Sequence, residues 1–350
     1  MGNGAGDPAG VRCMLMRGGT SKGAYFLADD LPADPAERDD LLLRVLGSPD
    51  QRQIDGLGGA HPLTSKVAVV STPDAGSTVD YLFLQVHVDE PVVSAGQPCG
   101  NLLAAVAPFA LERGLIAAGG ERTVVPVRMA NTGGTAMVDL PTPGGRVRYA
   151  GDTHISGVPF PAAEIAITFH STEGSVCGSL LPTGSARDRL AGVDATCIDN
   201  GMPVVVVAAA SLGTTGYGSC AELEADATLR ARVERLRLAA GQAMGLGDVT
   251  GRTIPKVTLV APPRHGGTLS TRTFIPHRCH TAIGVLGAVS VASAAVLPGS
   301  VAADLAAPGG TRVRLEHPSG FFDTEVGGGQ VAVIRTARKL FDGITWPRTN

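Results

Sequence analysis

Short apolar, β-branched runs that end in glycine turns set the rhythm of this 350-residue chain. Residues 11–16 run into Arg17-Gly18-Gly19-Thr20-Ser21-Lys22-Gly23, and residues 203–209 run into Leu212-Gly213-Thr214-Thr215-Gly216. Each pattern predicts a strand closed by a turn. Gly56-Leu57-Gly58 precedes a second apolar run, Lys66-Val67-Ala68-Val69-Val70. Gly245-Leu246-Gly247 precedes its echo, Lys256-Val257-Thr258-Leu259-Val260, about 190 residues further on. Two stretches then switch to helical spacing. Residues 100–113 place Leu103, Val106, Ala107, Ala110 and Leu111 on one face, with Gly114 as a stop and Pro108 expected to kink or split the helix. Residues 281–296 are apolar nearly all round, which requires an enclosed helix. Each helix is followed by a matching strand and turn, at Val127-Arg128 before Asn131-Thr132-Gly133 and at Val313-Arg314 before His317-Pro318-Ser319-Gly320.

Four echoes in one order predict two copies of one unit, strands wrapped around an apolar helix. The expected class is α+β, with domains at 1–183 and 184–350, a crossover in the Gly/Thr/Ser-rich stretch 182–199, and a C-terminal segment free to return to the first domain. Duplicated units of this kind are expected to relate by a pseudo-twofold, with a small-molecule site in the cleft. The charged segment 221–238 has the spacing of a solvated amphipathic helix.

Composition narrows the function. Lys and Arg total 29 against 32 Asp and Glu, a net charge of −3, which lacks the basic excess of a nucleic-acid binder. Glycine (47) and proline (24) favour a turn-rich β architecture. The N-terminal MGNGAGDPAG has no apolar core of a secretory leader, and the apolar run 282–297 is broken by Gly and Ser and is short of a membrane span, so a cytoplasmic protein with no membrane partner is expected. The six cysteines form no CxxC pair, which leaves zinc ribbons and dithiol motifs unsupported.

The candidate chemistry is a thiol, an amine and anion-binding turns. Cys99-Gly100-Asn101 follows Gly96-Gln97-Pro98 and opens the first apolar helix. Free N–H groups at a helix start stabilise a thiolate and can hold a carboxylate, although buried free cysteines are often inert. Lys66, after Leu63-Thr64-Ser65, heads a buried strand, where desolvation would lower its pKa and make a usable base. On the residues alone a snorkelling strand-end lysine is the plainer reading, and Lys256 shares the ambiguity. The turn at Thr20 and Ser21 does not match a Walker loop and is either an anion nest or an ordinary tight turn. His277-Arg278-Cys279-His280 has a His-x-x-His pattern but no further ligands at metal spacing, so no metal is expected. Arg278 and His280, at an expected helix start, suit carboxylate binding better. No cofactor motif is present. The set suits proton removal beside a carbonyl and its return elsewhere.

These segments carry a resemblance. Met16-Arg17-Gly18-Gly19-Thr20-Ser21-Lys22-Gly23, Thr64-Ser65-Lys66-Val67 and Cys99-Gly100-Asn101 look like the hallmark of the 2-methylaconitate cis-trans isomerase (PrpF-like) family, which has the diaminopimelate epimerase fold. Leu46-Gly47-Ser48-Pro49-Asp50, Gln53-Ile54-Asp55-Gly56, the stretch Pro108-Phe109-Ala110-Leu111-Glu112-Arg113-Gly114-Leu115, Cys197-Ile198-Asp199-Asn200-Gly201-Met202-Pro203, and Phe274-Ile275-Pro276-His277-Arg278-Cys279-His280 resemble most the 4-oxalomesaconate tautomerases and isomerases of gallate and protocatechuate breakdown. The resemblance implies a cofactor-free isomerase, expected as a homodimer, acting on a small polycarboxylate. Lys66 would take the proton and Cys99 would return it, while Thr20, Ser21, Ser65, Gly100, Asn101, Arg278 and His280 would hold the substrate. The second helix opens with Cys279-His280-Thr281 rather than Cys-Gly-Asn, which disfavours a two-thiol racemase. The alternatives are 2-methylaconitate isomerisation and a non-catalytic polycarboxylate-binding protein.

Overall fold

The computed structural model describes residues 9–72, 78–95, 99–170, 172–327 and 330–349; the N-terminal residues 1–8 and Gly96-Gln97-Pro98 lie outside these. The chain divides into two units. One holds the residues up to Ile167 and those from Arg335 onward, and the other holds Thr168–Ile334, so the division lies before the expected 183/184 and the last strand returns to the first unit. The first unit contains β1 (Val11–Gly18), β2 (Ser21–Leu27), α1 (Pro35–Leu46), β3 (Lys66–Ser71), β4 (Val79–Val86), β5 (Val93–Ser94), α2 (Gly100–Glu112), β6 (Arg122–Met129), β7 (Thr135–Pro141) and most of β8 (Glu164–His170). The second contains β9 (Asp188–Leu190), β10 (Val193–Asp199), β11 (Pro203–Ala208), α3 (Cys220–Ala225), α4 (Ala227–Ala243), β12 (Lys256–Ala261), β13 (Leu269–Phe274), α5 (Val285–Val296), β14 (Arg312–His317), β15 (Gly320–Gly327) and the start of β16 (Gln330–Thr345).

The repeat is real at the level of strand pairing. In the first unit β1/β2 is antiparallel, β2/β3 parallel, β3/β4 antiparallel, β4/β6 parallel and β6/β7 antiparallel. In the second, β10/β11, β11/β12, β12/β13, β13/β14 and β14/β15 alternate in the same way. Lys66 and Lys256 each open the third strand of their series. The first sheet continues from β7 through β8 to β16, which pairs with β1 and closes it into a barrel.

A barrel of this size needs a filling, and each unit uses an apolar helix. α2 packs on β1, β2, β3, β4, β6 and β7, and Leu102 through Ala110 are buried. Burying Leu102, Leu103, Val106 and Phe109 completely contributes about 1.5–3 kcal/mol each. That sum exceeds the ~3 kcal/mol cost of an internal proline, and α2 runs as one helix through Pro108 rather than splitting there. α5 fills the second unit against β10, β11, β14 and β15. It absorbs the long apolar run, and among the described residues no helix is long and apolar enough to cross a membrane.

Two expectations change. The segment read as one solvated helix is α3 and α4, separated at Asp226, whose side chain accepts from Leu229 N and caps α4. Leu229, Val233, Leu236 and Ala240 form a stripe that enters the core of the second unit, so this helix is structural. Arg237, fully buried, holds Glu234 and the carbonyl of Val249. Further on, α5 starts at Val285, capped by extended Gly284, and not at residue 281. Residues 274–280 form a tight reversal instead, with Ile275 N donating to Arg278 O and His280 N to Thr273 O.

Candidate active site

The β1–β2 turn is built against the start of α2. Gly18 pairs with Ser21, which leaves Gly19 and Thr20 as a two-residue turn with Gly19 at φ +53°, a conformation that glycine takes without strain. A Cβ on Gly18 would lie 2.6 Å from Asn101 O, and one on Gly19 would lie 2.3 Å from Asn101 Oδ1. The glycines therefore let the turn sit against the Asn101 side chain and the backbone of the first turn of α2. Gly18→Ala is expected to push α2 away from the turn, at about 1–3 kcal/mol of stability and with a clear loss of activity. A thermal melt checks this, with Gly251→Ala, which meets nothing within 4 Å, as the neutral control.

Lys66 stands on β3 beside the same corner, since a Cβ on Gly23 of β2 would touch its carbonyl at 2.7 Å. The residue is only 7% exposed. Its Nζ donates to Gln85 Oε1 at 2.7 Å and lies 4.8 Å from the Phe83 ring centroid. Among the described residues no carboxylate pairs with it. Burial pushes the amine below the ordinary lysine value, and a negative charge on the Cys99 sulfur would pull it back up. The snorkelling alternative does not fit a charge held this deep.

Cys99 is the N-cap of α2, extended at φ −124° and ψ 98°, with its side chain free of capping hydrogen bonds. It is half-buried. Its carbonyl accepts from Leu103 N and from Tyr81 Oη at 3.1 Å. Tyr25 Oη donates to Leu102 O at 2.6 Å, so two buried tyrosines pin the first turn. Burial holds both phenols well above their usual range, so they act as fixed donors. The helix that Cys99 caps packs on the strand that Lys66 opens. The pair can remove a proton at one atom and deliver one at another, with the N–H groups that open α2 as oxyanion donors.

Four residues that carry this geometry have no motif. Gln85 fixes Lys66, and its Nε2 donates to Ser65 O at 2.8 Å and to Pro62 O at 3.1 Å. Phe83, Tyr81 and Tyr25 complete the wall. The available signal was Gln85 itself, a buried amide at the end of the apolar strand Val79-Asp80-Tyr81-Leu82-Phe83-Leu84-Gln85-Val86. Gln85→Met is expected to lower kcat about tenfold to a hundredfold by releasing the amine. The same loss of an acceptor disfavours the ammonium, so the alkaline-rising limb of the pH profile moves to lower pH.

Ser65 needs correction as a substrate ligand. It is fully buried; its Oγ accepts from Gln53 Nε2 at 2.6 Å and donates to Val86 O at 3.0 Å. It braces the loop before Lys66. Thr20 is exposed and Ser21 buried at the turn.

In the second unit, Arg278 and His280 belong to the 274–280 reversal and not to a helix start. Arg278 is exposed. His280 Nδ1 accepts from Ala282 N, and burial with the nearby Lys256 charge lowers its pKa. His277 instead faces Glu234 at 3.7 Å, so the His-x-x-His pair diverges. Cys279 is buried, with its thiol pushed up to about 12 by burial and by Cys220. It is a core residue, unlike Cys99.

A barrel closed around an apolar helix in the first unit, the same strand order around a second helix in the other, and a desolvated amine with a helix-start thiol in the first place the chain among isomerases of an epimerase-like α+β fold. The chain belongs to the PrpF protein family, whose model matches residues 9–347. It is 57% identical over 343 residues to the 4-oxalomesaconate tautomerase of Pseudomonas putida, covering 95% of each chain. It is 56% identical over 344 residues to the (4E)-oxalomesaconate Δ-isomerase of a Novosphingobium species, covering 95% of this chain and 96% of that one. The crystal structure of methylitaconate-Δ-isomerase superposes with a TM-score of 0.89 at 31% identity, over 97% of this chain and 96% of that one.

Proposed function

We propose that the protein isomerises 4-oxalomesaconate by moving one proton. Lys66, as the neutral amine, takes a proton from the carbon beside the carbonyl, and the electron pair spreads over the conjugated system as a dienolate. The Cys99 thiol protonates the far end and is left as thiolate beside the Lys66 ammonium. Proton exchange between that pair and water restores both groups. Thr20, Ser21, Arg278, His280 and the N–H groups of Gly100 and Asn101 are the proposed ligands of the substrate oxygens. The reading extends to cofactor-free catalysis by a cytoplasmic homodimer in the breakdown of aromatic acids such as gallate and protocatechuate.

The observation that carries this reading is a buried lysine, held at 2.7 Å by Gln85 Oε1, at the head of a strand that packs against the helix Cys99 caps. The substrate follows from the two relatives above 55% identity. The test is a side-by-side assay of 4-oxalomesaconate and 2-methylaconitate in deuterated water. Turnover of oxalomesaconate with carbon-bound label supports the proposal. Preference for 2-methylaconitate overturns the substrate, and binding with neither turnover nor label would make the protein a polycarboxylate binder.

A further inference from the structure

The second unit holds two thiols on one backbone oxygen. Cys220 opens α3 and Glu224 lies four residues on, so both project from one face of that helix. This face docks on the end of the 274–280 reversal. Glu224 Oε1 accepts from Cys279 N at 2.9 Å, and Cys220 Sγ donates to His280 O at 3.5 Å. Cys279 Sγ lies 3.8 Å from the same His280 oxygen. The two sulfurs are therefore neighbours, although they stand far apart in the sequence. Both are free thiols. Cys279 is 6% exposed, whereas Cys220 is half-buried at the edge of the same core cluster.

A fixed cation stands beside the pair. Arg272, itself buried, gives Nε to Gly218 O at 2.7 Å and Nη2 to Tyr217 O at 3.0 Å, just before the Ser219 cap of α3. Its charge reaches both sulfurs, and a guanidinium beside a thiol favours the reactive thiolate. Cys279 is the slower nucleophile of the two, being buried and pushed up to about 12. We propose that Cys220 and Cys279 are a redox-modification site, which a hydroperoxide closes to a disulfide and a thiol reductant reopens. With hydrogen peroxide, Cys220 Sγ attacks one oxygen. The S–O bond forms as the O–O bond breaks, and the other oxygen leaves as water with the thiol proton. Cys279 Sγ then attacks the Cys220 sulfur. The S–S bond forms as the S–O bond breaks, and a second water carries away the Cys279 proton. Two electrons pass from the sulfurs to the peroxide oxygens. A disulfide has no S–H, so His280 O loses its thiol donors and the reversal is tied covalently to α3. The expected effect on catalysis rests on the reading of Arg278 and His280, which flank Cys279, as substrate ligands; formation of the bond does not.

The test treats the reduced, folded full chain with hydrogen peroxide and maps its peptides by mass without reduction. The Cys220 and Cys279 peptides are expected joined, two hydrogens lighter than the separate pair, and parted again by dithiothreitol. Cys220→Ser is expected to keep its basal turnover and to lose the link. Cys279→Ala is expected to leave Cys220 as a sulfenic acid that dimedone traps. Turnover is read on samples whose mass map shows Cys99 unmodified. The bridged protein is expected to turn over at least about threefold more slowly, because the flanking ligands are displaced, and to recover with dithiothreitol. Cys220→Ser is expected to show no such loss. The proposal is overturned if neither thiol reacts, if Cys220 is oxidised in the native chain without the link, if Cys279 pairs with another cysteine, or if the link forms only after denaturation. A link with unchanged turnover supports the site and counts against Arg278 and His280 as ligands.

Discussion

Lys66→Met is expected to cut turnover by about 10²–10⁴, the usual contribution of a positioned general base. Methionine keeps the length and apolar character of the stem, so the variant should fold. Gln85 Oε1 loses its donor, a cost of about 1–3 kcal/mol, and the burial penalty of an ammonium disappears in compensation. Lys66→Arg is expected to fail as badly, because a guanidinium stays protonated and cannot accept the proton. The wild-type profile carries the sign. The folded amine lies below 10.5, so the active neutral form appears as pH rises through that lowered value. A rate that climbs towards alkaline pH, with a limb that vanishes in Lys66→Met, supports the role; full turnover in that variant would sink it.

Cys99→Ala is expected to lower turnover by about 10²–10³ and to separate the two half-reactions. With Lys66 intact, proton removal continues, and the ammonium exchanges with solvent before returning the proton to the carbon it left. Recovered substrate should then gain deuterium faster than product forms, which proton NMR reads directly. An unlabelled substrate pool together with normal product formation would exclude Cys99 as the second group.

Much of the architecture was legible because it repeats. The periodicity of residues 66–70 and 256–260, and of the two apolar helices, depends only on which side chains must leave water, and a duplicated pattern supplies its own control. Boundaries were less legible. Pro108 is a local helix breaker, yet α2 continues because the surrounding barrel offers its neighbours no other place to go. Residues 281–284 have the apolarity of a helix, but the reversal hydrogen-bonded at Ile275 and His280 sets where α5 can begin. Arg237 looked like a solvent charge, and the i, i+4, i+7 spacing of Leu229, Val233 and Leu236 around it was the overlooked sign of burial.

The chain's linear pattern was enough for the class of fold, the duplication and the two groups most suited to moving a proton, since those follow from residue type and spacing. What set one lysine apart from the other lay in space. Lys66 and Lys256 open equivalent strands with similar neighbours in sequence, but Lys66 meets the Gln85 amide and the Phe83 ring, whereas Lys256 lies near the charge of Arg237. Likewise Cys99 caps a helix while Cys279 is packed into a core. Desolvation and charge pairing are sums over atoms brought close by folding, and residues 19, 33 and more positions apart have no way to announce their meeting in the order of the letters.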